Sequence, residues 1–156
     1  MRVKLAHSEC GTVVASSTSI TCTLATSAAA GSWDVKVTDA SGLIPVDAGA
    51  PQINVSLTIS TISPSIDLNQ LGGDKLVLAG MGFDTVTDGT VVSFNDGSSC
   101  DVTSSSSTQL ECTVSGFATD TLDSATPYIA TVSVNSVTDA TQSVSILATK
   151  QSGLTV

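Results

Sequence analysis

Ser8-Glu9-Cys10-Gly11-Thr12-Val13-Val14-Ala15-Ser16-Ser17-Thr18-Ser19-Ile20-Thr21-Cys22-Thr23-Leu24 returns later in the chain as Ser98-Ser99-Cys100-Asp101-Val102-Thr103-Ser104-Ser105-Ser106-Ser107-Thr108-Gln109-Leu110-Glu111-Cys112-Thr113-Val114. The two cysteines of each copy keep the same interval, and the copies lie about 90 positions apart. A repeat of that period sets the architecture before any local propensity is consulted. The 156 residues hold one complete unit of immunoglobulin size and a partial one ahead of it. Met1 aligns with Val91, well inside the second copy, so the first copy lacks roughly its first 30 residues. The chain therefore reads as a processed or partial one that starts in mid-domain, with no signal-peptide h-region in Met1-Arg2-Val3-Lys4-Leu5-Ala6-His7.

Composition narrows the class. Ser and Thr number 25 and 22, yet 41% of residues are hydrophobic, which sets the chain apart from disordered Ser/Thr-rich sequence. Val, Ile, Leu and Thr alternate with Ser and Asp, a strand pattern, and no stretch carries a helical period. The net charge is −9, and Arg2, Lys4, Lys36, Lys75 and Lys150 are the only basic residues. That balance opposes nucleic-acid binding and adhesion to anionic membranes. Apolar runs such as Leu76-Val77-Leu78-Ala79 are too short to enter a bilayer as a span.

Duplicated spacing gives each unit its own local cysteine pair, so the sequence predicts Cys10–Cys22 and Cys100–Cys112 disulfides and an oxidising compartment. A zinc site is the alternative, weakened by a spacing that is not C-x₂₋₄-C and by a lone histidine, His7.

In the second unit, residues 74–80, 90–94, 108–114, 128–134 and 143–146 read as strands with turn signals about every ten residues, which describes a sandwich. Leu110, Cys112 and Val114 share one face, and Leu110, Val132, Val134 and Phe94 are predicted to be buried with Gln109, Thr131 and Ser133 exposed. In the first unit, Trp33-Asp34-Val35-Lys36-Val37 matches Tyr128-Ile129-Ala130-Thr131-Val132, and Asn54-Val55-Ser56-Leu57 matches Ser143-Val144-Ser145-Ile146. Val3-Lys4-Leu5 is off by one against Val92-Ser93-Phe94, which predicts a bulge or shifted register. No Pro/Gly-rich spacer separates the units, so they should abut with little hinge freedom.

Ile62-Ser63-Pro64, Gly72-Gly73, Gly80-Met81-Gly82-Phe83, the Cys100/Cys112 pair and Tyr128, in that order, resemble an IPT/TIG domain. The resemblance covers residues 61–148 and, for the later two-thirds of a second copy, residues 1–59. It implies an all-β fold of tandem immunoglobulin-like sandwiches, the first lacking its opening strands. The expected division is a partial domain over 1–60, a complete one over 61–148 and an extended tail over 149–156. The family spans DNA-contacting domains, receptor stalks and surface proteins, so the fold does not select a function. Its DNA-binding members use basic loops, which this chain lacks.

Catalytic chemistry has little to draw on. One histidine, two glutamates and five aromatics supply neither a triad nor an acid pair in a sugar cleft; Asp84 with Asp88 and Asp120 with Asp123 flank turns. Calcium is a candidate at Asp84-Thr85-Val86-Thr87-Asp88-Gly89 and Asn95-Asp96-Gly97, although both are also good turn sequences and neither is an EF-hand. Asn54-Val55-Ser56 is an N-glycosylation sequon on the outward face of a strand, and residues 104–107 form a Ser run suited to a solvated loop.

The sequence thus predicts a non-enzymatic extracellular or cell-surface protein without a cofactor or metal. The leading reading is a homopolymeric fibre or appendage subunit. In it, Leu154, Thr155 and Val156 of one copy enter the unfinished first domain of the next. The alternative is an ectodomain fragment of an adhesion protein, flanked by neighbouring immunoglobulin-like domains and binding a glycan or a protein through its loops.

Overall fold

The computed structural model describes residues 2–5, 8–24, 28–39, 42–43, 51–118, 128–139 and 145–149. The predicted tail strand at Leu154, Thr155 and Val156, His7, and the Asp120/Asp123 pair lie outside the described residues. Among the described residues, strands account for nearly all regular structure, with one 3₁₀ turn at Thr87–Gly89.

The first sheet contains β1 (Arg2–Leu5), β2 (Ser8–Ala15), β3 (Ile20–Leu24), β4 (Gly31–Asp39), β5 (Gly42–Leu43) and β6 (Gln52–Val55). Its order is β3-β2-β1-β4-β5, with β6 also on β4. The second sheet follows with β7 (Thr58–Ser63), β8 (Ile66–Asn69), β9 (Lys75–Met81), β10 (Thr90–Phe94), β11 (Ser99–Ser105), β12 (Gln109–Val114), β13 (Tyr128–Val134), β14 (Val137–Asp139) and β15 (Ser145–Thr149). There the order is β7-β9-β12-β11-β10-β13-β15-β8, with β14 on β13 and β8 parallel to β15. Strand β7 begins at Thr58 and pairs with β9, so residues just before position 61 already belong to the second sheet.

Alternation decides the core. Strand β13 reads buried and half-buried in strict turn, with Tyr128, Ala130, Val132 and Val134 inward. Those side chains join Leu76 and Leu78 of β9, Leu110 and Cys112 of β12, and Val92 of β10 in one buried cluster. A hydrogen-bonded sheet whose inner faces all meet must curl over on itself, which is how an immunoglobulin-like sandwich encloses its core. The predicted inward set Leu110, Val132, Val134 and Phe94 is buried; Gln109 is exposed, while Thr131 and Ser133 are half-buried rather than exposed. Phe83, on the turn after β9, is fully buried in the cluster.

The duplication extends to single atoms. The turn between β2 and β3 is closed by Ser16: its N–H donates to the Ser19 carbonyl at 2.7 Å, and its Oγ accepts from the Ser19 N–H at 3.0 Å. Ninety positions later the Ser106 N–H donates to the Gln109 carbonyl at 2.7 Å, and its Oγ accepts from the Gln109 N–H at 3.0 Å. Both hairpins also carry a bulge, between Cys10 and Val13 in one and between Val102 and Ser104 in the other. The serine caps satisfy turn amides that a β-hairpin of this length leaves without ladder partners.

Two details depart from the sequence alignment. Val3 pairs with Val37 as Val92 pairs with Val132, while Lys4 faces Glu9 as Ser93 faces Ser99. The one-residue parity difference is therefore absorbed by a shorter β1–β2 turn, and neither β1 nor its pairing is bulged. Ile53 faces Trp33 as Ile146 faces Tyr128, so Ile53, not Leu57, is the counterpart of Ile146. Leu57 instead packs into the second unit's core.

The units meet at the Ala30 loop. Ala30 is fully buried within that same cluster; its N–H donates to the Gly82 carbonyl at 2.7 Å and its carbonyl accepts from Asn135 Nδ2 at 3.3 Å. Both backbone groups of one residue of the first unit are thus satisfied by the second.

Candidate functional site

Among the described residues, the first sheet is open where the second is covered. In the second unit β9 lies along β12, with Leu76 opposite Cys112 and Leu78 opposite Leu110, and β8 lies parallel along β15. By the repeat, β3 takes the place of β12 and β6 that of β15. Among the described residues no strand pairs with the outer edge of β3 or of β6.

Burial records the difference. Cys112 and Leu110 are 0% exposed, whereas Cys22 is half-buried and Ile20 is 42% exposed. Val3, Ile20, Cys22, Val35, Val37 and Ile53 line a hollow of about 720 Å³ on the inner face of the first sheet. An apolar face bordered by unpaired strand edges accepts an added strand: main-chain hydrogen bonds supply affinity, and alternate side chains fill the hollow.

Each pair of predicted cysteines is joined within its own hairpin, Cys10 to Cys22 and Cys100 to Cys112, with Cα atoms 5.7 and 5.5 Å apart. The second pair lies in the closed core, while Cys22 of the first lines the open hollow and Cys10 is half-buried.

Asp84, Asn95 and Asp96 are engaged by hydrogen bonds within their own turns and to neighbouring segments. Asp84 Oδ1 accepts from the Val86 N–H at 3.1 Å, and its Oδ2 accepts from Asn135 Nδ2 at 3.1 Å. Asp96 accepts from the Ser98 N–H, the Ser98 hydroxyl and the Ala118 N–H at 3.0, 2.6 and 2.9 Å, and Asn95 Oδ1 accepts from the Ile129 N–H at 3.0 Å. Burial pushes the Asp96 carboxyl up, but these hydrogen bonds together outweigh it and hold the group below its ordinary value of 3.8. Among the described residues, no group of three or more His, Cys, Asp or Glu side chains is arranged to hold a metal ion.

Asn54 is exposed on β6, beside the junction between the units, and borders a cleft of about 560 Å³ with Ser32, Leu57 and Val137. On the same outward face, Gln52 Nε2 donates to Asp34 Oδ1 at 2.9 Å. Lys4 Nζ stands 3.0 Å from Glu9 Oε1 across β1 and β2, and the hydrogen bond from Lys4 draws the Glu9 carboxyl below its ordinary range. This exposed pair marks a solvated surface and contributes little to stability. Sequence reading did not show that one opening stretch serves two separate edges of the second sheet, because parallel pairing of β8 with β15 leaves no local pattern.

Residues 57–148 match the family described as the IPT/TIG domain, more than half of the chain, and the chain belongs to that family. No curated protein matches it. Two structures of the plexin A4 full extracellular region match nearly the whole chain at 16% identity. One covers 95% of this chain and 14% of its own, with a TM-score of 0.50; the other covers 96% and 13%, with a TM-score of 0.51. A Bacteroides thetaiotaomicron protein of unknown function is 18% identical over 60% of this chain and 22% of its own, with a TM-score of 0.47. The chain thus spans less than a quarter of the length of each of these proteins. The plexin likeness is one of fold, an all-β tandem of immunoglobulin-like domains. The family is one of structural rather than catalytic domains, and residues 57–148 belong to it. Among the described residues, no helix is long and apolar enough to cross a membrane.

Proposed function

We propose that this chain is an adhesive and spacing module within the ectodomain of a multidomain cell-surface protein. The observation that carries the reading is the Ala30 joint. A residue of one unit is buried in the core of the next with both backbone groups bonded, which fixes the angle between successive units. A surface stalk needs that fixed angle to hold a binding element at a set distance and direction. Disulfides in both hairpins suit an oxidising exterior. The net charge of −9 disfavours nucleic acid as a partner and leaves protein or glycan surfaces as the ligands. Asn54, exposed beside the junction, is the position for an N-linked glycan. Labelling intact expressing cells with a membrane-impermeant amine reagent tests the assignment. Lys36 and Lys75, both exposed, should be modified without lysis; modification only after lysis would overturn it.

A second reading, the head-to-tail filament, is favoured by the open outer edge of β3. In it, Leu154, Thr155 and Val156 of one copy enter the first unit of the next, and subunits add heterologously without closure. Negative-stain microscopy separates the two, since the module reading expects discrete particles and the polymer reading filaments that disappear on deletion of residues 149–156.

A further inference from the structure

We propose that Asn54 carries an N-linked glycan whose first sugar, an N-acetylglucosamine, seats in the cleft between the two units and braces the joint. The proposal deepens the ectodomain reading and rests on it, because such a glycan is added in a secretory compartment.

Of the four asparagines in the chain, Asn54 alone opens an Asn-x-Ser/Thr triplet, Asn54-Val55-Ser56. The other three are spent on local structure: Asn69 Oδ1 accepts from the Leu71 N–H, Asn95 Oδ1 accepts from the Ile129 N–H, and Asn135 Nδ2 donates at the joint. Strand pairing sets the side on which Asn54 stands. Ile53 faces Trp33 and lines the inner hollow, so the next residue along β6 projects from the outer side, across from Ser32. That facing comes from the β4–β6 ladder and does not depend on what borders β6.

The outer side is where the cleft of about 560 Å³ opens. Asn54 and Ser32 form its wall on the first unit; Val137, Thr138 and Asp139 of β14 form its wall on the second. Ser32 and Thr138 are exposed, and each offers a hydroxyl that can donate or accept. Val137 is half-buried and adds an apolar patch. Asp139 is buried, and its Oδ2 accepts from the Ile59 N–H at 3.1 Å, which holds β14 against β7 and makes the second wall firm. A pyranose offers the matching mixture, an apolar ring face with hydroxyl and amide groups at its rim. The volume lies in the range that holds small ligands.

Covalent attachment decides whether such weak contacts form. A free sugar would find little affinity in an open polar cleft, whereas one tethered at its wall meets the opposite wall at a high effective concentration. Because the walls belong to different units, contacts to both are broken whenever the units turn apart. The brace thus adds to the two Ala30 hydrogen bonds that otherwise fix the angle.

The test secretes the chain from a eukaryotic cell line that leaves its glycans oligomannose. Intact mass should show one N-glycan per chain, absent from Ser56→Ala, which removes the acceptor triplet and keeps Asn54. After trimming with an endoglycosidase that leaves a single N-acetylglucosamine, amide hydrogen exchange in residues 32–34 and in Val137–Asp139 should remain about fivefold slower than in Ser56→Ala. Asn54→Gln should match Ser56→Ala, which separates loss of the sugar from any local effect of Ser56. A secreted chain left unmodified at Asn54, or modified without slower exchange in Val137–Asp139, would overturn the proposal. So would slowing that vanishes on trimming, because outer sugars would then make the contact. Each of these results leaves the surface location untouched, which amine labelling of intact cells decides on its own.

Discussion

Gly82 and Gly97 have the same left-handed backbone, φ +87° each, and opposite surroundings. A Cβ on Gly82 would lie 2.5 Å from the Ser56 carbonyl oxygen, in the backbone that leads from the first unit into the second; one on Gly97 would meet nothing within 4 Å. Gly97→Ala should therefore cost only the backbone strain, about 1 kcal/mol. Gly82→Ala adds a backbone collision and should cost about 3 kcal/mol or more. Urea denaturation of the two variants measures the difference, and equal losses would mean that the Ser56 approach is not as close as described. Asp96 gives a pH-dependent counterpart. Its carboxyl is held below 3.8 in the folded state, so its contribution is fully present above the unfolded value and disappears as pH falls through the lowered folded one. The melting temperature of the native chain should thus drop more steeply than that of Asp96→Asn as pH falls below about 4. Parallel slopes would show that the loop hydrogen bonds do not select the ionised form. Burial first, and then the Asp96 charge, push the Tyr128 hydroxyl above 10.0, so its contribution is present below that value and lost as pH rises through the raised folded one.

At the scale of strands, β13 shows how strongly facing sets tolerance. Val132 is 0% exposed and its neighbour Thr131 half-buried on the opposite face. Val132→Asp places a charge among Leu and Val side chains and should unfold the second unit, a loss above about 4 kcal/mol. Thr131→Asp should stay within about 1 kcal/mol, read by circular dichroism melts of both. The hairpins make a covalent prediction as well: non-reducing peptide mapping should recover Cys10 linked to Cys22 and Cys100 to Cys112, and a Cys10–Cys112 link or free thiols would count against it. Strands β10 and β13 were legible from sequence to the residue because one face meets the core and the other is wetter, which writes a period of two. The pairing of β8 with the far edge of the second sheet was not legible. Strand β8 is four residues long and pairs in parallel, so it writes no alternation. The mistaken match of Leu57 with Ile146 has a similar origin. Val-Ser-Leu and Val-Ser-Ile look alike in sequence, and only pairing to Trp33 and Tyr128 distinguishes the strand residue from the linker residue.

For the molecule as a whole, the joint between units governs what the tandem can do. Asn135 holds it from the second unit, with φ +48°, a backbone state that asparagine adopts more readily than other non-glycine residues. Its side-chain Nδ2 is shared between the Ala30 carbonyl and Asp84 Oδ2, while its N–H donates to the Gly89 carbonyl at 3.0 Å. Ala30 completes the contact through its own N–H to Gly82. Two hydrogen bonds and one buried methyl are a small interface, of the kind worth a few kcal/mol at most. Removing both bonds should therefore release the units without unfolding either. In the double variant Ala30→Pro, Asn135→Ala, residual dipolar couplings from the two units should fit separate alignment tensors, whereas the native chain should need only one. If one tensor still fits the double variant, the rigidity comes from the Ser56-Leu57 connection packing beneath Gly82 rather than from the Ala30 contact, and the spacing role would then rest on that linker.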